Sequence, residues 1–230
     1  MRTMDRPPLP LPAPAPLEPP EGFTERLRAI GVELEAAVVR SLGDYLAHLL
    51  AMNEHMNLTA IVDPAQAWEK HGLDALTLVP LLGELRQGAR LVDVGSGGGV
   101  PGIPLALARP DLHVTLVEAT QKKAAFLVAT AAALGLTRVK VRAARAEELA
   151  RGELRAAFDV VTARAVGKLS ALVPLVAPLA RPGGLLLLVK GQRADEELAD
   201  AKQALAQHKI VHEKTVATPT GRIVVLRRRK

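Results

Sequence analysis

The 230-residue chain is 49% hydrophobic, carries a formal net charge of +6 and contains no cysteine. That length admits one large domain or one domain with an appendage, with enough apolar residues for a core. The missing cysteines exclude disulfides, thiolate metal sites and a cysteine nucleophile, while the basic surplus favours a polyanionic partner such as nucleic acid.

The N-terminus lacks the apolar core of a secretory signal. Eight prolines in the fourteen residues 7–20 predict an extended arm, either a disordered tail or a polyproline ligand. Residues 23–54 are predicted helical, with Leu34, Val38, Leu42, Leu46, Leu49 and Leu50 at helical spacing. Asp63, Pro64 and Gln66 have the residue types of a helix start, and that helix is expected to run to about residue 82. Short β-like runs then alternate with helical ones: strands at 90–94, 113–118, 139–142, 158–163 and 185–190, helices near 101–109, 121–134, 146–155, 168–180 and 194–207. Such alternation predicts a mostly parallel, doubly wound α/β sheet. Two last strands, near 210–217 and 222–227, flank the turn Pro219-Thr220-Gly221 and predict a closing antiparallel hairpin. The expected organisation is a disordered arm over 1–21, a helical subdomain over 22–86 and a ligand-binding domain over 87–230. No apolar run is long enough to span a bilayer, so a cytoplasmic, membrane-free protein is expected.

The stretch LVDVGSGGGVPGIP, residues 91–104, holds five of the chain's eighteen glycines directly after the first strand. Ligands of open α/β sheets bind beyond the carboxyl ends of strands, so these glycines admit a cofactor close to the backbone. Gly97, Gly99 and Gly102 satisfy the dinucleotide spacing, with Glu118 a suitable distance on. No Walker lysine follows. The same stretch also fits S-adenosylmethionine: Asp93 stands two residues before Gly95, and Asp93 and Glu118 offer carboxylates to a ligand that carries sulfonium and ammonium charges. The Pro182-Gly183-Gly184 turn and the closing hairpin favour this second reading. No metal ligand set is expected.

Together, MNLTAIVDP, KHGLDAL, the glycine stretch through QKKAAFL, RAEEL, FDVVTARAV and LVKG resemble the bacterial small-subunit ribosomal RNA methyltransferases called RsmG or glucose-inhibited division protein B. The resemblance covers residues 40–226. It implies a Rossmann-like class I methyltransferase with a mostly parallel seven-stranded sheet, a C-terminal antiparallel hairpin and an N-terminal helical extension. It also implies methyl transfer from S-adenosylmethionine, leaving S-adenosylhomocysteine, to N7 of a guanine in 16S ribosomal RNA of the small subunit, by a monomer.

By matched position, the resemblance assigns Gly95 and Val100 to the cofactor loop, where the glycine spacing already places Gly97. It assigns Glu118, Ala119 and Thr120 to the ribose and adenine side, and Ala146 and Glu147 to the adenine. Arg164 falls at the mouth of the site. Guanine N7 carries a lone pair and no proton, so no general base is needed; Arg164, His71 and Lys190 are expected to position rather than to transfer protons. His71 and Asp74 share a helix face, as a site wall or as a helix-stabilising pair. Lys190 suits either phosphate or a sheet edge, and the basic run 227–230 either tracks RNA or is an exposed tail. The competing readings are a methyltransferase for another RNA or a small molecule, and a non-catalytic RNA-binding assembly factor.

Overall fold

A computed structural model describes residues 9–83, 85–164 and 166–230. Seven strands form one sheet in the order β3-β2-β1-β4-β5-β7-β6. They are β1 (Arg90–Val94), β2 (His113–Val117), β3 (Val139–Arg142), β4 (Phe158–Arg164), β5 (Ala180–Lys190), β6 (Ile210–Ala217) and β7 (Arg222–Arg228). β1 to β5 run parallel; β7 lies antiparallel between β5 and β6. The expected mixed sheet with a closing hairpin is therefore present. β1 pairs with β2 on one side and β4 on the other, so the order reverses beside β1, and the crevice beyond its carboxyl end is where such sheets bind ligands.

Alternation along the strands splits the core into two layers. Leu91, Leu116, Val160 and Leu187 point to one side and pack with Phe23, Tyr45 and Trp68. Val92, Val161, Leu186 and Leu188 point to the other and pack with Leu172 and Val176. The N-terminal helices thus share one core with the sheet, whereas residues 22–86 were expected as a subdomain.

The helix expected over 23–54 is two helices, α1 (Phe23–Ala29) and α2 (Ala36–Asn53). Gly31, at φ +77°, ends α1: its amide bonds Arg28 O and the next amide, of Val32, bonds Leu27 O, at 2.9 Å each, the paired closure of a Schellman stop. Asp63 does cap the next helix, accepting from Gln66 N at 2.8 Å. That helix is not regular to residue 82: α3 (Pro64–Ala67) passes into a π-helical turn (Trp68–Leu73), then α4 (Asp74–Leu76), then a 3-10 turn (Val79–Leu82). The remaining helices are α5 (Gly102–Ala108), α6 (Gln121–Ala133), α7 (Ala146–Arg151), α8 (Leu169–Val176), α9 (Ala194–Asp200) and α10 (Lys202–Gln207). The segment expected as one helix over 194–207 breaks at Ala201. β5 starts earlier than expected, and pairing with β4 shifts across the Pro182-Gly183-Gly184 stretch.

Residues 9–20, expected to be disordered, are extended and lie along α2. Leu9, Leu11 and Leu17 pack on the core, which gives the segment a buried apolar side that counting prolines hides. Residues 1–8 fall outside the described residues. Among those described, no helix is long and apolar enough to cross a membrane.

Candidate active site

The loop after β1 turns sharply. Gly95 and Gly97 have φ of +71° and +53°, a region that β-carbons oppose. A β-carbon at Gly95 would also lie 2.8 Å from Val166 Cγ2. The loop is held from below by Val117 O, which accepts from Gly95 N at 2.9 Å and Ser96 N at 3.0 Å. It is held from above by Tyr45, fully buried on α2, whose hydroxyl donates to Gly98 O at 2.8 Å. Burial pushes the Tyr45 hydroxyl well above its ordinary pKa, so it remains a donor. Tyr45→Phe removes that donor and leaves a buried carbonyl unpaired; unfolding by denaturant is expected to show a loss of roughly 1–2 kcal/mol, and an unchanged midpoint would contradict the bond's importance.

Glu118 sits just past β2, buried, and clamps the loop. Its Oε2 accepts from Gly97 N at 3.0 Å and its Oε1 from Thr120 N at 2.7 Å. Ala119 and Thr120 are exposed beside it; Ala146, buried, and Glu147, exposed, open α7 after β3; Arg164 ends β4. The carboxyl ends of β1 to β4 thus bring Gly95, Gly97, Val100, Glu118, Ala119, Thr120, Ala146, Glu147 and Arg164 to one edge of the sheet.

A pocket of about 390 Å³ opens there, a size suited to a small ligand, and Leu49, Leu58, Ile61, His71, Gly97 and Arg164 are among its walls. Its apolar side comes from Leu49, Val100 and residues 58–61. Asn53, at the end of α2, fixes that segment by accepting from Leu58 N at 2.8 Å and Thr59 N at 2.9 Å. Another cleft, of about 410 Å³, lies at the opposite edge of the sheet, where Arg181 pairs with Asp159 and Arg227 with Glu213. The glycine loop makes the former the candidate site.

The structure places four further residues. Asp93 is fully buried beneath the loop, its Oδ1 accepting from Thr162 Oγ1 at 2.9 Å; like Glu118, Ala119, Thr120, Ala146 and Glu147 it is not among the pocket's walls. As an inward-facing residue on a strand covered on both sides, it supports the loop from within. Lys190 is also buried: Nζ pairs with Glu197 at 2.7 Å and donates to Gly167 O, which occupies it with the turn after β4. His71 and Asp74 do not pair. His71 Nε2 and Thr59 Oγ1 share a hydrogen bond of 2.7 Å, while Asp74 accepts from Thr220. The π-helical turn carries His71 to the pocket wall, in keeping with the tendency of such turns to occur at functional sites.

Arg164 reaches from β4 to the same turn, donating to Lys70 O at 2.6 Å. Sequence reasoning missed Tyr45, Asn53 and Thr59 as site-building residues. The quoted NLTAI segment held the only signal for Thr59, and the helical pattern makes Tyr45 and Asn53 look like ordinary α2 positions. The basic run begins at Arg227, which pairs with Leu185, whereas Arg222 pairs with Lys190. The run therefore leads away from the pocket, to the opposite edge of the sheet.

Two buried titrating groups oppose one another. Burial, and then the Arg164 charge, hold His71 at about 4 against the ordinary 6.5. The unfolded chain binds the extra proton, so the His71 contribution to stability is complete above pH 6.5 and lost as pH falls through 4. Burial pushes the Asp93 carboxyl up to about 6 from 3.8, against hydrogen bonds led by Thr162. Here the folded protein holds the proton, so the contribution is complete below pH 3.8 and lost as pH rises through 6. Asp93→Asn is expected to leave stability rising with pH by roughly 3 kcal/mol across the histidine window, and His71→Asn to leave it falling by a similar amount across the carboxyl window. Denaturant unfolding at stepped pH measures both; slopes of the same sign in the two variants would refute the assignment.

A family model described as rRNA small subunit methyltransferase G (GidB) matches residues 38–225. A Sorangium cellulosum protein named ribosomal RNA small subunit methyltransferase G is 70% identical over 224 residues, covering 97% of this chain and 94% of that protein. A Halorhodospira halophila protein of the same name is 41% identical over 204 residues, covering 89% and 94%. Among solved structures, a SAM-dependent methyltransferase from Aquifex aeolicus superposes with a TM-score of 0.56 at 15% identity, over 72% of this chain and 94% of that one, a likeness of fold.

Proposed function

The chain belongs to the rRNA small subunit methyltransferase G (GidB) family, and on that premise we propose that it transfers the methyl group of S-adenosylmethionine to N7 of a guanine in 16S ribosomal RNA of the small subunit. The observation that carries the reading is the meeting, in one pocket, of the glycine loop with residues 58–61, part of the NLTAI segment. The donor supplies a methyl that is already activated by the sulfonium charge, so what remains for the protein is placement.

The residues fit that donor. The glycine loop has room for a ligand close to its backbone, without the lysine that a triphosphate loop carries. Glu118 keeps lone pairs beyond those that accept the two amides and is placed for ribose hydroxyls, with Ala119 and Thr120 beside it. Ala146 and Glu147 border the adenine end; Gly95, Gly97 and Val100 border the methionine end.

The target base then faces Leu58, Ile61, His71 and Arg164. With the donor held there, N7 would take its methyl without losing a proton, the bonding pair of the broken C–S bond would stay on sulfur, and the guanine would become cationic. Holding the two reactants in near-attack geometry can supply roughly 7–11 kcal/mol. A cation beside N7 would oppose the product charge. The Arg164 guanidinium is tethered to Lys70 O, and its remaining donors suit phosphate or guanine O6. His71 and Lys190 position: the first holds the 57–61 segment through Thr59, the second the turn after β4.

The test is to incubate unmodified small subunits with labelled S-adenosylmethionine and cleave the RNA chemically at N7-methylguanine. One labelled cleavage site is expected. Label without cleavage would move the reaction to another atom, and no label together with no calorimetric binding of the donor would favour the non-catalytic alternative.

A further inference from the structure

The proline-rich segment preceding α1 meets α2 at Pro12 and Leu17, and α2 is the helix that holds the glycine loop. The two contacts are on opposite faces. Gly43 and Tyr45 are separated by roughly 200° around the helix axis at 3.6 residues per turn. On the Gly43 face, Leu17 N donates to Gly43 O at 3.3 Å; His48, about 60° around the axis from Tyr45, reaches the arm from the other flank, its Nδ1 3.0 Å from Pro12 O. On the inner face, Tyr45 bonds Gly98 O and Leu49 packs on the same residue.

Gly43 itself signals the contact. Glycine within a helix costs roughly 0.5–1 kcal/mol relative to alanine. Here a β-carbon would stand 2.3 Å from Leu17 O and 3.3 Å from Trp68 Cζ2. Any side chain at position 43 would force the arm off the helix or displace Trp68, the first residue of the turn that carries His71. A polyproline segment suits such a role, because proline has little backbone freedom to lose on ordering. The family model begins at residue 38, past the arm, whereas the match to the Sorangium cellulosum protein covers 97% of the chain and so takes in most of it.

We propose that residues 9–20 are a positioning brace that seats α2 against the glycine loop and thereby sets the affinity of the pocket for its ligand. The brace acts through Tyr45 and Leu49 and touches no reacting atom. That the ligand is S-adenosylmethionine rests on the functional reading above; the brace does not.

Two full-length variants release the arm from opposite sides: Gly43→Val on the helix, and Leu9→Asp, Leu11→Asp and Leu17→Asp together on the arm. Amide hydrogen exchange without ligand reads the loop directly. In both variants the Gly99 amide, bonded to Ser96 O in the native loop, is expected to exchange at least threefold faster, while β4 and β5 amides keep their rates. Calorimetry is expected to show S-adenosylmethionine bound about three- to tenfold more weakly. Unchanged exchange at Gly99 would overturn the brace, and so would equal acceleration throughout β4 and β5, which would make the arm a general stabiliser. If the wild-type protein bound no S-adenosylmethionine, the functional reading would fail while exchange at Gly99 still decided the brace.

Discussion

Glu118→Ala is expected to weaken S-adenosylmethionine binding by about a hundredfold or more. The carboxylate does two things at once. It is the acidic group proposed to meet the ribose, and it accepts from the amides of Gly97 and Thr120. Hydrogen bonds to a charged group contribute about 1.5–3 kcal/mol each, and a buried donor left unpaired costs a similar amount. Losing the ribose acceptor alone accounts for one such increment, and releasing Gly97 loosens the loop in addition. Together these exceed roughly 2.7 kcal/mol, the equivalent of a hundredfold in Kd. Glu118→Gln keeps one carbonyl acceptor but turns an amide donor toward the other N–H, so an intermediate loss is expected. Calorimetric titration of both variants measures the effect, with thermal unfolding as the control. Binding within threefold of wild type for Glu118→Ala would remove this residue from the ligand site.

Arg164→Ala is expected to lower kcat/KM on small subunits by about a hundredfold, with donor affinity changed only a few fold. Arg164 stands at the end of β4, beside the switch point, and its bond to Lys70 O ties the sheet to the turn that presents His71. Removing it is expected to shift that turn and to delete the cation proposed to face the target nucleotide. A displacement on the order of 1 Å at such a site can cost about a hundredfold. Arg164→Lys is expected to remain at least about tenfold impaired, because one ammonium cannot hold a carbonyl and also reach a second acceptor with the geometry of a planar fork. Steady-state kinetics on unmodified subunits, with calorimetry of the donor, separates the two effects. Full activity in Arg164→Ala would place the RNA side of the site elsewhere.

The sheet was legible because β1 and β4 are buried on both faces and read as mostly apolar runs, broken only by Asp93, Asp159 and Thr162 within them, and because helices with turn signals separate them. The sharp loop after β1 was legible for a related reason: Gly95, Gly97 and Glu118 are set by short-range constraints, a turn that needs glycine and an acid at the end of the next strand. The spacing of Asp93 from Gly95 carries no information about its depth: β1 is covered on both faces, and Asp93 is fully buried beneath the loop. Lys190 was left open between phosphate and sheet edge, and pairing with Glu197, only seven residues ahead but across a turn, occupied it.

Composition, apolar period and glycine placement were enough to establish a mostly parallel sheet with a closing hairpin and a ligand loop after the first strand, because these follow from local backbone preference and two-sided burial. Which side chains wall the pocket followed from long-range packing instead. Tyr45 meets Gly98 across 53 residues and Arg164 meets Lys70 across 94. The proline arm shows the same division. Its prolines dictate an extended backbone, but only the apolar face of α2, with Gly43 bare at its centre, turns that extension into an ordered part of the molecule.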